Sequence, residues 1–380
     1  MSHQRIHAIE YIRGISMLGV IGIHTGAYSL ANPYVNVHLF ALLEIFTRFS
    51  VPIFFFVSAF GLFRNQDLSQ KLDYLNFMKR RIKTVFVPYV VWSLIYLLHY
   101  TWISGDTAPW ATTTLLKYLV FGLASYQLYF LVILLWFYSL MPLWRIIVRP
   151  ITAAPLTYLG IMLVLQIAFN YYSSYVLTPH FTNHYMNLAV QHRLSYWVIH
   201  YIFIFILGAV SAVCYDQFLR TLKKYHQIIH GAFFVSLAGM LLFYYFLLYA
   251  KGYTPEQAVN TAHQLSPIGV LYTLTATLFF FYQFTTYQFS EGFSNLLEAL
   301  GKYSYSVYLV HPLVMYYLVI YITNTGKLMT ATVTLTFFIF TVVLSMSFAK
   351  LVEKIALFIP LIGLLLNGST PNRSKHKQVA

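Results

Sequence analysis

Ten stretches of roughly twenty mainly apolar residues follow one another along this chain, at 6–30, 38–63, 84–104, 127–144, 151–171, 196–215, 229–250, 266–288, 303–323 and 329–349. Twenty helical residues reach about 30 Å, the hydrocarbon thickness of a bilayer. No water is present there to pair with backbone amides, so such stretches are confined to helices that satisfy their own hydrogen bonds. Hydrophobic residues make up 59% of the chain and charged ones 9%, against about 25% charged in soluble domains. The expected fold is an all-α, polytopic membrane helix bundle of about ten transmembrane helices. Two segments fit less well. Residues 110–124 are interrupted by Lys117 and Gly122, and 351–366 opens with Glu353 and Lys354 and contains Pro360, so the latter is expected to be an interfacial helix. Residues 1–367 are read as one membrane domain and 368–380 as a short basic cytoplasmic tail.

The formal charge of +14 has to be placed before it is interpreted. With both termini in the cytosol, eighteen Lys and Arg fall inside and four, Lys117, Arg193, Lys251 and Lys327, fall outside, leaving Arg13 and Arg48 within spans. This positive-inside asymmetry supports an even number of spans with cytoplasmic ends. It assigns the charge to topology and anionic-lipid contact and sets nucleic acid aside as a partner. The single cysteine, Cys214, excludes a disulfide framework or thiolate cluster within one chain. Glu10 and Arg13 break the first apolar run, so the first span is expected to be retained rather than cleaved as a signal. A plasma membrane location, in a bacterium, suits a chain with so few loop charges.

Ionisable groups inside spans are costly and normally face the bundle interior with a partner. The short list is Arg13 and His24 on span one, Glu44 and Arg48 on span two, His200 on span six and His311 on span nine. Arg13 and His24 are eleven residues apart, about 20° past three full turns, and roughly 16 Å apart along the axis, so they point the same way and suggest one polar stripe between the two faces. Pairing of Glu10 with Arg13 (i,i+3) and of Glu44 with Arg48 (i,i+4) is the plainer alternative, a mutual neutralisation. A neutral imidazole near the outer face is suited to take the proton of a hydroxyl that attacks an activated acyl carbon.

The cluster Lys79, Arg80, Arg81 and Lys83 at the cytoplasmic start of span three reads either as topological flanks or as a phosphate site. Guanidiniums bind phosphates bidentately, and coenzyme A is a phosphate-rich acyl carrier of the cytosol. Metalloprotease, P-loop and serine-hydrolase motifs are absent from the sequence. His180, His184 and His192 match no metal-ligand spacing and are expected as loop residues; no metal is expected.

Four segments in order then resemble the integral-membrane acyltransferase family 3. They are EYIRGISMLGVIGIH, with Arg13 and His24; VPIFFFVSAF at 51–60; YQLYFLVILLWFYSLMPL; and LGKYSYSVYLVHPLV at 300–314. Two positions depart from the family pattern. The third-span R-x-x-R is Arg80-Arg81-Ile82-Lys83, and a second-span glycine is Ala59.

The resemblance implies transfer of an acyl group, most commonly acetyl, from cytosolic acyl-CoA to a hydroxyl of a cell-envelope polysaccharide or other surface glycan. His24 would be the catalytic base, Arg13 its partner, and Arg80 and Lys83, with Arg81 between them, the acyl-CoA contacts. Glu44, Arg48 and His311 are supporting candidates. The chain would act alone or hand its acyl group to a separate extracytoplasmic transferase or polysaccharide-synthesis partner. A secondary transporter or flippase using Arg13, His24, Glu44 and Arg48 as a polar path is the main alternative.

Overall fold

The computed structural model describes residues 6–64 and 66–369, and all regular structure among them is helical. Arg5 and most of the expected basic tail, 370–380, lie outside the described residues. The first helix, α1 (His7–Ser29), is followed by α2 (Val37–Glu44) and α3 (Ser50–Phe63). The expected single helix over 38–63 is therefore broken. Ile45 N and Phe46 N both bond the Ala41 carbonyl, so the helical ladder slips at this point. Pro52 follows in the first turn of α3, where its ring excludes a regular turn behind it. Arg48 sits in the resulting turn.

Asp73 caps α4 (Tyr74–Arg81) through the Asn76 N–H, and this bond holds its carboxyl below the ordinary carboxylate range. One π-helical turn (Ile82–Phe86) joins α4 to α5 (Val87–Ser104), ahead of Pro88, which has no N–H for a regular ladder. The doubtful stretch 110–124 holds only a short helix, α6 (Thr112–Phe121), ended by Gly122 at φ +69°. Spans expected at 127–144 and 196–215 are both bent. α7 (Tyr129–Ser139) turns by 70° into α8 (Met141–Ile151), which has Pro142 in its first turn. α9 (Pro155–Tyr171), α10 (His184–Gln191) and α11 (Arg193–Tyr196) lead to α12 (Ile202–Val213), whose segment turns by 104° into α13 (Tyr215–Lys224).

The chain then continues through α14 (His226–Tyr249), α15 (Pro255–Thr261), α16 (Pro267–Thr286), α17 (Glu291–Asn324), α18 (Ala331–Phe358) and α19 (Pro360–Asn367). The expected interfacial helix over 351–366 is corrected here. α18 runs unbroken to Phe358, and only α19 is separate, because Pro360 cannot continue the preceding ladder. Among the described residues, six helices are long and apolar enough to cross a membrane, or up to eight if each bent pair counts as one span. About ten spans is compatible with that count but not established by it. The two segments in question are α1, which carries Glu10, Arg13 and His24, and the broken α2–α3 pair.

Close backbone approach builds the centre. A Cβ on Gly301 of α17 would lie 2.1 Å from the Glu10 carbonyl oxygen of α1, and one on Gly208 of α12 would lie 2.3 Å from the Phe56 carbonyl oxygen of α3. Small residues allow such crossings in lipid, where packing rather than the hydrophobic effect holds helices together. Gly301→Ala and Gly208→Ala are each expected to lower unfolding stability by about 1–3 kcal/mol, the usual cost of overpacking. Gly160→Ala, whose Cβ would meet open space, serves as the neutral control in the same detergent melting series.

Candidate functional site

α1 runs between two of the places where polar side chains gather inside the bundle. The first is a cavity of about 850 Å³ at the basic end, where Arg81 and Lys302 lie. Arg13 and Glu10 line it from α1, their side chains 3.5 Å apart. Ser58 of α3 and Tyr138 of α7 face it with hydroxyls 3.2 Å apart. Lys302 of α17 bridges to Glu353 of α18 at 2.7 Å, and Tyr303 donates to the same carboxylate.

An adjoining cleft of about 580 Å³ is lined by Arg80, Arg81, Lys83 and Gln66. The two spaces share Gly61, Leu62, Arg81, Thr84 and Gly368, so they lie against one another at this end of the bundle. Gly368 has φ +63°, and a Cβ there would meet the Thr84 carbonyl at 2.1 Å, which lets the end of α19 lie directly on the π-helical turn.

Arg81 is the cation turned inward. Its guanidinium lies 5.2 Å from the ring centres of both Phe77 and Tyr138, while Arg80 and Lys83 line only the outer cleft. All three of the expected acyl-CoA contacts, Arg80, Arg81 and Lys83, thus line this end of the bundle, with Arg81 the one that reaches both spaces. The π-helical turn that begins at Ile82 rotates the following residues away from ordinary helical phase, and no residue count predicts that rotation.

The second place surrounds His24. Its ring is 4.3 Å from that of Tyr126, in the turn before α7, and 5.4 Å from that of His311, to which it is nearly parallel at 23°. His311 is fully buried. Pro312 lacks the N–H that would bond the Tyr308 carbonyl, and His311 Nδ1 takes that acceptor at 2.8 Å. Nδ1 therefore carries the proton and Nε2 the lone pair, and Nε2 is buried with no hydrogen-bond partner among the described residues.

Glu44 and Arg48 pair at 2.9 Å, and both are nearly buried. Gly26 makes room for this pair beside α1, since a Cβ there would fall 2.7 Å from Glu44 Cγ. Arg48 lies within electrostatic range of His24, and its Nε is buried with no hydrogen-bond partner among the described residues. Glu44 thus engages Arg48, and no bond from it to His24 is formed.

Arg13 and His24 do lie on one side of α1. The continuous polar stripe expected between them is not there: Met17 and Val20 occupy the intervening turns and are buried in apolar surroundings. His200 is brought elsewhere, against Ser173 Oγ at 2.8 Å within a buried knot that includes Gln166 and Asn170. Among the described residues no three His, Cys, Asp or Glu side chains come together to hold a metal. Ser58, Tyr138, Lys302, Tyr303 and Glu353 escaped the sequence reading. Lys302 and Tyr303 sit inside the LGKYSYSVYLVHP motif, which is the signal that pointed to them.

The sequence model of acyltransferase family 3, described as an acyltransferase domain, matches residues 6–350. A protein of Bacillus subtilis (strain 168), provisionally named membrane-bound acyltransferase YfiQ, is 26% identical over 326 residues, covering 82% of this chain and 81% of that protein. No solved structure matches. With a family match over nearly the whole length and a bundle of apolar helices that brackets a basic cavity and a pair of packed histidine rings, this chain belongs to acyltransferase family 3 and is a multi-pass membrane enzyme that transfers acyl groups.

Proposed function

We propose that the protein moves a short acyl group, acetyl in the first instance, from cytosolic acyl-CoA to a hydroxyl of a cell-envelope polysaccharide or related surface glycan. The observation that carries this reading is the pair of adjoining spaces at the basic end. The outer cleft is lined by Arg80, Arg81 and Lys83, the inner cavity is largely apolar, and that cavity stops beside the residues that pack around His24. Phosphates suit the guanidinium-rich mouth, and the pantetheine arm and acyl group suit the interior.

In the transfer, the acceptor oxygen forms a bond to the thioester carbonyl carbon as the carbon–sulfur bond breaks. His24 takes the hydroxyl proton and returns it to the departing thiolate, giving free CoA and an ester. His311, whose Nδ1–H is committed to the Tyr308 carbonyl, packs its ring against that of His24 and so positions it. Arg13 holds the donor lower in the cavity. Arg48, with Glu44 as counter-ion, supplies fixed positive charge near the developing oxyanion.

In this reading the basic end faces the cytosol of a bacterium, both termini are cytoplasmic, and the bilayer is the plasma membrane. The acceptor approaches from the opposite side, either free or on a separate transferase or polysaccharide-synthesis partner.

The test is the base-released acid content of surface glycans, read by mass spectrometry in cells with and without the protein. Esters that depend on the protein support the reading. Equal ester content with a misplaced glycan precursor overturns it in favour of transport. Arg81→Ala is expected to raise the KM for acyl-CoA by about tenfold or more, the worth of one charge-assisted contact, whereas Lys79→Ala, outside both spaces, leaves it unchanged.

A further inference from the structure

The inner end of the basic-end cavity is closed by an aromatic wall, and we propose that this wall selects the acyl group, admitting the shortest chains and rejecting longer ones. The inference rests on the reading of that cavity as the acyl-CoA site. Phe54 of α3, Phe130 of α7 and Tyr308 of α17 line the cavity, while His24, His311 and Tyr126 do not. The Phe130 ring is 5.9 Å from that of Phe54 and 5.6 Å from that of Tyr308, so the three rings meet as a continuous partition. On its far side the Tyr308 ring is 6.0 Å from His311, which is 5.4 Å from His24. The ring of Tyr308 and then that of His311 therefore stand between the donor space and the proposed base.

The wall has little slack. Phe130 and Tyr308 are 7% and 6% exposed, and Phe130 is backed by Phe55 at 4.7 Å. Tyr308 Oη donates to the Gln127 carbonyl, next to Tyr126, whose ring packs on His24. The partition and the histidine site are thus fastened to the same turn.

In acyl-CoA the acyl group is the far tip of the pantetheine arm, so it is the first part to meet the wall. Interiors packed this closely yield to a small tip by a shift of one ring and resist each further methylene. A packed apolar pocket discriminates a single methylene by roughly tenfold or more. The wall therefore ranks donors by chain length before the thioester reaches His24.

The experiment uses the full-length protein in the membranes of cells that carry the native acceptor, supplied with acetyl-, butyryl- and hexanoyl-CoA. Wild type is expected to transfer butyryl at about one tenth of the acetyl rate or less, and hexanoyl more slowly still. Phe130→Ala is expected to raise the butyryl-to-acetyl ratio about tenfold. Phe130→Leu, which keeps most of the packing, is expected to shift it in the same direction by less, and CoA binding by each variant reports that the bundle is intact. Unchanged ratios in variants that bind CoA normally overturn the wall while leaving the acyl-CoA reading in place. Failure of wild type to use any of the three donors overturns both.

Discussion

His24→Ala is expected to slow acyl transfer by about two to four orders of magnitude, the span that positioned general bases contribute, while acyl-CoA binding at the basic end stays at its wild-type value. The separation of the two places is the reason. Arg13 lines the cavity and His24 does not, and the two are roughly 16 Å apart along α1 with buried apolar residues between them. Losing the imidazole removes the proton acceptor without touching the phosphate contacts, so the loss belongs in kcat and not in the donor KM. Single-turnover transfer from labelled acetyl-CoA in acceptor-bearing membranes measures it. If His311 acts through the ring it packs against, as proposed, combining His24→Ala with His311→Ala adds little further loss, because parts of one unit are not additive. Transfer by His24→Ala within a few-fold of wild type would end the case for this residue as the base.

The second large effect falls on stability. Glu44 and Arg48 are 4% and 13% exposed and pair at 2.9 Å. Removing one partner leaves an uncompensated charge inside the bundle, which typically costs about 3–5 kcal/mol. Glu44→Leu and Arg48→Met are therefore each expected to melt far below wild type in detergent, and the double replacement, being apolar throughout, is expected to recover most of the loss. The double variant also separates two roles that the i,i+4 spacing leaves open. If the pair only neutralises itself, the recovered protein transfers acyl groups at the wild-type rate. If Arg48 supplies charge to the reacting carbonyl, the recovered protein folds but stays slow.

Much of this molecule is legible in its sequence because the bilayer leaves few alternatives. Apolar stretches of span length have to be helices, since nothing in hydrocarbon pairs an exposed amide, and the all-helical fold follows. Family membership is carried by local motifs at fixed spacing. The pairing of Glu44 with Arg48 is equally local, four residues along one stretch of chain. Angular phase on one helix also made it possible to place Arg13 and His24 on the same side of α1.

What the sequence does not contain is any record of contacts between residues distant in the chain, and those decide the site. His311 is 287 positions beyond His24, and only the packing of α1 on α17 sets the rings 5.4 Å apart. Pro312 is visible in the sequence, but that it frees the Tyr308 carbonyl for His311 Nδ1 depends on α17 running straight through it as one helix. That Arg81 lines the inner cavity while Arg80 and Lys83 line the cleft beside it depends on how Arg81 packs against the rings of Phe77 and Tyr138, which the family spacing does not record. Helix formation is a local balance of backbone hydrogen bonds and hydrophobicity, so neighbours in sequence determine it. Which side chains share a cavity depends on where glycines such as Gly26, Gly208 and Gly301 let backbones approach, and that is settled only when the helices are packed together.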